Sequence, residues 1–289
     1  MEYISTYKRT REILSKFNLS AKKNLGQNFL VDQHVINKII SGSEVNKEDL
    51  VIEIGPGIGG LTEHLAISAG KVISVEIDKT LIPVLEENLK DYPNIEFINA
   101  DILKTDIKAL IEKERFKSAK IVANLPYYIT TPIIMGLLEA RVPVNSITVM
   151  IQKEVAMRMA ANPGTKDYGA LTLAVNYYSD PYILANVPVN CFIPRPNVNS
   201  AVIRLNVLKK PPVSVVDERY MFGLIKSAFQ MRRKTLVNCL FAGNDNRFTK
   251  PELEEMLIKS GFQPDVRGES LSLSDFAKIA DALYKNRKE

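Results

Sequence analysis

Val51-Ile52-Glu53-Ile54-Gly55-Pro56-Gly57-Ile58-Gly59-Gly60-Leu61 is the stretch on which the fold turns. An apolar run broken only by Glu53 reads as a short buried strand, three glycines at alternate positions follow, and Leu61–Ser68 opens a helical pattern. Strand, Gly-rich turn and helix in that order make a cradle. Glycine tolerates φ > 0 and lets the backbone come close to a ligand. Dinucleotide enzymes use the same turn. Here Glu53 precedes the loop, where a carboxylate would repel a pyrophosphate but can hold the loop or a ligand's ammonium group.

Outward from this turn the chain alternates. Val72–Ile77, Ile95–Asn99, Ile121–Asn124 and Ile147–Ile151 read as further buried strands. Leu81–Lys90, Ile107–Glu114 and Ile133–Ala140 read as helices between them. This rhythm predicts a parallel sheet covered by helices on both faces. A helix over Gly169–Tyr178, an extended Tyr182–Pro188 and a β-rich Ser200–Val207 follow, the last two as an antiparallel addition to the sheet. Lys209-Lys210-Pro211-Pro212 reads as a boundary, because prolines stop regular structure and stiffen a linker. Beyond it, Asp217–Phe229, Lys234–Leu240, Lys250–Ser260 and Ser274–Tyr284 predict a small helical domain.

Composition narrows the class. With 46% hydrophobic and 25% charged residues over 289 positions, the chain reads as a soluble globular protein of one large or two ordinary domains. No apolar stretch approaches the ~20 residues of a membrane span, and Met1–Leu14 lacks the apolar core of a signal peptide. Two cysteines, Cys191 and Cys239, predict no disulfide scaffold and a reducing cytoplasm. Metal-ligand spacing is absent, and neither His34 nor His64 has a partner that would make it catalytic, so no metal is expected. The net charge of +5 hints at a polyanionic partner, with basic clusters within residues 1–28 and at Arg232-Arg233-Lys234. Solvated surface lysines explain either cluster about as well.

The chemistry gathers at the strand ends. Glu76, twenty-one positions after Gly55, stands where a carboxylate chelates two ribose hydroxyls. Asp101 can accept from an adenine amino group, although alone it reads first as an N-cap or turn residue. Asn124-Leu125-Pro126-Tyr127 closes another strand with a short amide, a rigid proline and an aromatic ring. The amide oxygen accepts from an N–H and the ring stacks on a base, which suits a planar amine. Gly55, Gly57, Glu76, Asp101 and Asn124 all fall at the carboxyl edge of the sheet, where ligands bind in such folds.

Five separated segments carry a resemblance that spans nearly the whole chain. They are Lys22–Leu30 (KKNLGQNFL), Glu53–Gly60, Asn124–Tyr128 (NLPYY), Phe192–Val202 (FIPRPNVNSAV) and Phe229–Leu236 (FQMRRKTL). Together they resemble the ribosomal RNA adenine N6,N6-dimethyltransferases, and within them the bacterial small-subunit branch. The related 23S rRNA resistance enzymes typically carry Ile at the position of Leu125. The resemblance implies a Rossmann-like class I methyltransferase domain over residues 1–208, with a mostly parallel seven-stranded sheet and a basic segment over 1–28, and a helical domain over 213–289. It implies S-adenosylmethionine as cofactor, held by Asn28, Leu30, Glu53, Gly55, Gly57, Glu76, Ile77, Asp101, Ile102 and Asn124.

On this resemblance Asn124, Leu125, Pro126 and Tyr127 form the catalytic turn. Tyr127 stacks on the target base, Phe192, which by sequence alone reads equally as a core aromatic under a Pro-rich loop, covers its other face, and Tyr128 packs inward or touches backbone. Lys22, Lys23, Arg232, Arg233 and Lys234 are the RNA-contact candidates. The implied substrate is a pair of adjacent adenosines in the 3′-terminal hairpin of 16S rRNA, each dimethylated within a 30S pre-ribosomal particle by a cytoplasmic monomer. A DNA adenine methyltransferase would favour Asp-Pro-Pro-Tyr and a separate target-recognition region. A dehydrogenase fits neither Glu53 nor the Asn-Leu-Pro-Tyr turn. An assembly factor that binds ribosomal particles without turnover is the alternative of a different class.

Overall fold

The computed structural model describes residues 2–22, 25–243 and 248–286. Nine strands occur among them: β1 (Phe29–Leu30), β2 (Asp49–Ile54), β3 (Lys71–Glu76), β4 (Ile95–Asn99), β5 (Ser118–Asn124), β6 (Ser146–Gln152), β7 (Ser179–Val187), β8 (Phe192–Ile193) and β9 (Ser200–Val207). Seven form one sheet in the order β4-β3-β2-β5-β6-β9-β7. The pairs β4–β3, β3–β2, β2–β5 and β5–β6 are parallel, while β9 runs antiparallel to β6. The sheet is therefore mostly parallel, as the alternating pattern predicts. All six residues of central β2 are buried, which is what helices on both faces require. Edge strand β4 is buried only in part.

Two compact units divide the chain, Met1–Ala156 with Asp180–Val207, and Met157–Ser179 with Leu208–Glu289. The sequence places the first domain unbroken up to residue 208. In the structure Met157–Ser179 groups with the second unit, because Tyr168, Leu173 and Tyr177 are buried in a core with Met221, Ile225, Leu236 and Phe276. The Tyr168 hydroxyl donates to the Leu271 carbonyl at 2.6 Å, inside that core. The second unit is otherwise built from the helices Glu218–Gln230, Leu236–Gly243, Lys250–Lys259 and Leu273–Lys285.

In the first unit, the helices Gln33–Ser43 and Gly60–Ser68 cover one face of the sheet through Ile36, Ile39, Leu61 and Leu65, packed with Val51, Val72, Val122 and Val202. The basic N-terminal segment contains a helix. Thr6 caps a helix over Tyr7–Lys16, whose Ile13 is buried with Phe29, Leu85 and Leu89. Strands β1 and β8 pair antiparallel as a separate ribbon, Leu30 opposite Phe192. Among the described residues no helix is long and apolar enough to cross a membrane.

Candidate active site

The parallel strands all end on one edge, and the strand order reverses between β2 and β5, which opens a crevice there. A cavity of about 850 Å³, counted to its open mouth, occupies this place and falls within the first unit. Its floor is the Gly-rich turn. Gly55 and Gly57 stand at φ +68° and +62°, a region L side chains rarely enter. At Gly57 a β-carbon would also lie 3.1 Å from the Phe29 ring, so the backbone favours glycine and a side chain would crowd that ring. Gly59 then leads into the helix Gly60–Ser68.

Glu76 ends β3 with its carboxylate facing the cavity. One oxygen accepts from the Gly57 N–H at 3.2 Å and the other from the Asp78 N–H at 2.8 Å. A carboxylate has about four lone pairs, so both oxygens still have capacity for ribose hydroxyls. Burial pushes Glu76 above the ordinary glutamate range, the Asp78 charge adds to this, and the backbone N–H groups oppose it. Glu53 is 1% exposed and accepts from the Ser74 hydroxyl at 2.8 Å. Burial, with a contribution from Glu76, raises Glu53 to about 7. Glu53 does not line the cavity, and its carboxylate is engaged with Ser74 of the neighbouring strand β3.

Asp101 lines the cavity and also caps a short turn, accepting from the Leu103 N–H at 3.0 Å. The cap role and the ligand-facing position coexist. Ile77 and Ile102 give the cavity apolar walls. Gln27 and Asn28 close it from the N-terminal side. Asp78 holds that side in place: it receives Lys22 Nζ at 2.8 Å and Gln27 Nε2 at 3.1 Å. Burial works against the charge on Asp78, yet Lys22, Thr80 and Gln27 together bring its carboxyl down to about 2. Lys22, expected at RNA, is thus engaged with a buried carboxylate, and Lys23 lies outside the described residues.

Asn124 closes β5, and its Nδ2 donates to the Asn28 carbonyl at 3.0 Å. A carbonyl can only accept, so this bond fixes the amide's orientation and leaves Oδ1 as its acceptor. Leu125, Pro126 and Tyr127 continue the wall. The Tyr127 hydroxyl pairs with Ser200 Oγ at 2.6 Å.

Tyr128 does not pack inward. It is 55% exposed and forms part of the cavity lining beside Gly26. Phe192 is not brought to the cavity. It is 2% exposed in β8, in an apolar core with Leu30, Val35 and Val187, and Leu30 shares that burial. Arg232 is also occupied: its guanidinium donates to the Lys166 and Thr165 carbonyls and pairs with Glu269 at 3.4 Å. Arg233 and Lys234 are exposed. Gln27 and Tyr128 line the cavity, and Asp78 and Ser200 bond to residues that line it; the sequence reading gives none of the four a place at the site, although all but Asp78 lie within quoted motifs.

The donor set selects the ligand. Among the described residues no Lys, Arg or His lines the cavity, whereas Glu76 and Asp101 do. An acidic pocket suits a cationic sulfonium nucleoside and opposes a pyrophosphate. S-adenosylmethionine fits these residues in charge and in the acceptors they offer.

Comparison with known proteins agrees. The family described as ribosomal RNA adenine dimethylase matches residues 18–285. A ribosomal RNA small subunit methyltransferase A from Lachnoclostridium phytofermentans is 53% identical over 100% of both chains. One from Shouchella clausii is 47% identical over 99% of this chain and 97% of its own. Among solved structures, a dimethyladenosine transferase from Plasmodium falciparum superposes with a TM-score of 0.75 at 27% identity, covering 89% of this chain and 97% of its own. The 23S rRNA methyltransferase ErmE superposes with a TM-score of 0.67 at 27% identity, covering 89% of this chain and all of its own. The chain belongs to the ribosomal RNA adenine dimethylase family and is a methyltransferase that draws its methyl groups from S-adenosylmethionine.

Proposed function

We propose that this protein dimethylates N6 of two adjacent adenosines near the 3′ end of small-subunit ribosomal RNA, within a pre-ribosomal particle, as a cytoplasmic monomer. The relatives named as small-subunit methyltransferases support the choice of substrate, and so does Leu125 in place of the isoleucine of the 23S branch. The observation that supports the reading is Asn124: its Nδ2 donates to the Asn28 carbonyl, which leaves Oδ1 as the acceptor of a residue that lines an acidic cavity.

Glu76 and Asp101 hold the ribose and adenine of the methyl donor, and the Gly55–Gly57 turn and Asn28 enclose it. When bound, S-adenosylmethionine supplies an electrophilic methyl on a positively charged sulfur. The target N6 is a poor nucleophile because its lone pair is delocalised into the ring. Asn124 Oδ1 and the Leu125 carbonyl accept its two N–H bonds, which favours a pyramidal nitrogen with its lone pair aimed at the methyl. Pro126 donates no hydrogen bond and its fixed φ stiffens the turn. A neutral amide is less costly to desolvate than a carboxylate and does not pair with the sulfonium in the ground state. Tyr127 stacks on the extruded base, a contact that contributes about 1–3 kcal/mol. Positioning does most of the work, and oriented reactants gain roughly 7–11 kcal/mol.

The test is incubation with methyl-labelled S-adenosylmethionine and undermethylated small subunits, followed by nucleoside analysis of the rRNA. N6,N6-dimethyladenosine in small-subunit rRNA is expected. Label appearing only in large-subunit rRNA or in another nucleoside would overturn the assignment.

A further inference from the structure

Ser200 lies in the quoted segment Phe192–Val202, and nothing above gives its side chain a role. It opens β9 directly opposite Gln152 of β6 and is completely buried. Ala201, Val202 and Ile203, which follow it, are buried and apolar. A hydroxyl in such surroundings carries a desolvation cost unless it is hydrogen-bonded. Its partner is the Tyr127 hydroxyl at 2.6 Å, the far end of a ring that lines the cavity.

The backbone alone does not fix that ring. Tyr127 begins a single 3₁₀ turn, Tyr127–Ile129, after Pro126, and this places only its β-carbon. Two side-chain torsions remain, and a tether at the phenol end restricts both. The tether is anchored in the sheet: the β6–β9 ladder holds Ser200 in register, and the Lys153 N–H donates to the Asn199 carbonyl at 2.9 Å just before it. Burial raises the Tyr127 phenol above the usual tyrosine range, so it is a neutral donor or acceptor at working pH.

We infer that Ser200 is a positioning residue, whose hydroxyl locks the Tyr127 ring as the platform for the target adenine. This rests on the stacking role proposed for Tyr127. It has a consequence specific to dimethylation. In the first transfer two N–H bonds orient the amine. In the second only one remains, and stacking carries more of the orientation. Loss of the lock therefore slows the second methylation more than the first.

The experiment compares Ser200→Ala, Ser200→Thr, Tyr127→Phe and the Ser200→Ala/Tyr127→Phe pair on undermethylated small subunits, with turnover, mono- and dimethyladenosine yields and melting temperature measured. A neutral hydrogen bond sets the scale, so Ser200→Ala and Tyr127→Phe each lower kcat by about 5–10-fold. The KM for S-adenosylmethionine stays unchanged and N6-monomethyladenosine accumulates. The double variant is no slower than Tyr127→Phe, and Ser200→Thr, which keeps the hydroxyl, restores the wild-type mono-to-dimethyl ratio. Losses that multiply in the double variant, or a Ser200→Ala enzyme with wild-type kcat and no monomethyl product, overturn the inference. Tyr127→Ala separates the two levels: if it turns over normally the stacking reading itself fails, and if it is inactive while Ser200→Ala is normal only the lock fails.

Discussion

At the scale of single residues, Glu53 shows what burial does to a carboxylate. Glu53 is raised to about 7 by burial, against 4.5 for an unperturbed glutamate. Between these values the folded chain binds a proton that the unfolded chain releases, so this group's contribution to stability falls as pH rises through the window. Glu53→Gln keeps an acceptor for Ser74 and removes the charge. Urea unfolding is expected to show the variant more stable than wild type by about 2–3 kcal/mol at pH 8, with the difference shrinking to under ~1 kcal/mol at pH 5. A gap independent of pH would contradict the burial argument. The residues at strand ends were legible in the sequence because chemistry there follows from topology: Gly55, Gly57, Glu76, Asp101 and Asn124 all line the cavity. Phe192 was not, because an aromatic beside prolines reads alike in a core and in a binding wall. Phe192 is buried in the apolar core that Leu30, Val35 and Val187 form beside the β1–β8 pair.

At the scale of elements, the strand–helix alternation was readable in order but not in all its bounds: β5 and β7 each begin three residues before the apolar run that marks them, and the sequence reading does not include the helices Gln33–Ser43 and Lys153–Met159. β4 spans Ile95–Asn99 and β9 spans Ser200–Val207, both as the apolar pattern predicts. The ribbon β1–β8 is two residues per strand, too short to show a period. The N-terminal helix Tyr7–Lys16 hides behind its basic residues, although Thr6 and the apolar Ile13 and Leu14 mark it. Its neighbour segment matters more for function. Lys22 and Gln27 converge on Asp78, and this clamp secures the wall that Gln27, Asn28 and Phe29 give the cavity. No local pattern joins positions so far apart in sequence, so the clamp could not be read from it. Asp78→Asn is expected to weaken S-adenosylmethionine binding by about 3–10-fold, the loss of one charge-assisted bond. Because the Asp78 carboxyl is held down to about 2, the clamp's stabilisation is complete above the ordinary aspartate value of 3.8 and is lost only as pH falls through about 2. Calorimetry between pH 5 and 8 should therefore find the same ratio throughout. An unchanged dissociation constant would remove the clamp from the account.

At the scale of the whole molecule, a net charge of +5 gives a general attraction to RNA, but the basic triplet is not uniform. Arg232 is tied to Thr165, Lys166 and Glu269 within the second unit, while Arg233 and Lys234 are exposed. Replacing Arg233 and Lys234 together by alanine is expected to reduce the slope of log RNA affinity against log salt by about 1.4–1.8, the release of two phosphate counterions. An unchanged slope would make them ordinary surface. The division into two units was legible at the Lys209–Pro212 break. It was not legible at Met157–Ser179, whose membership depends on where Tyr168 and Tyr177 are buried. The account depends above all on a neutral carboxamide, oriented by Asn28, that steers the adenine amine. The most direct measurement is single-turnover methyl transfer by Asn124→Ala on undermethylated small subunits. At saturating S-adenosylmethionine, transfer is expected to fall at least ~100-fold, in line with the loss of an oriented polar group at a reacting centre. Transfer at the wild-type rate would contradict it.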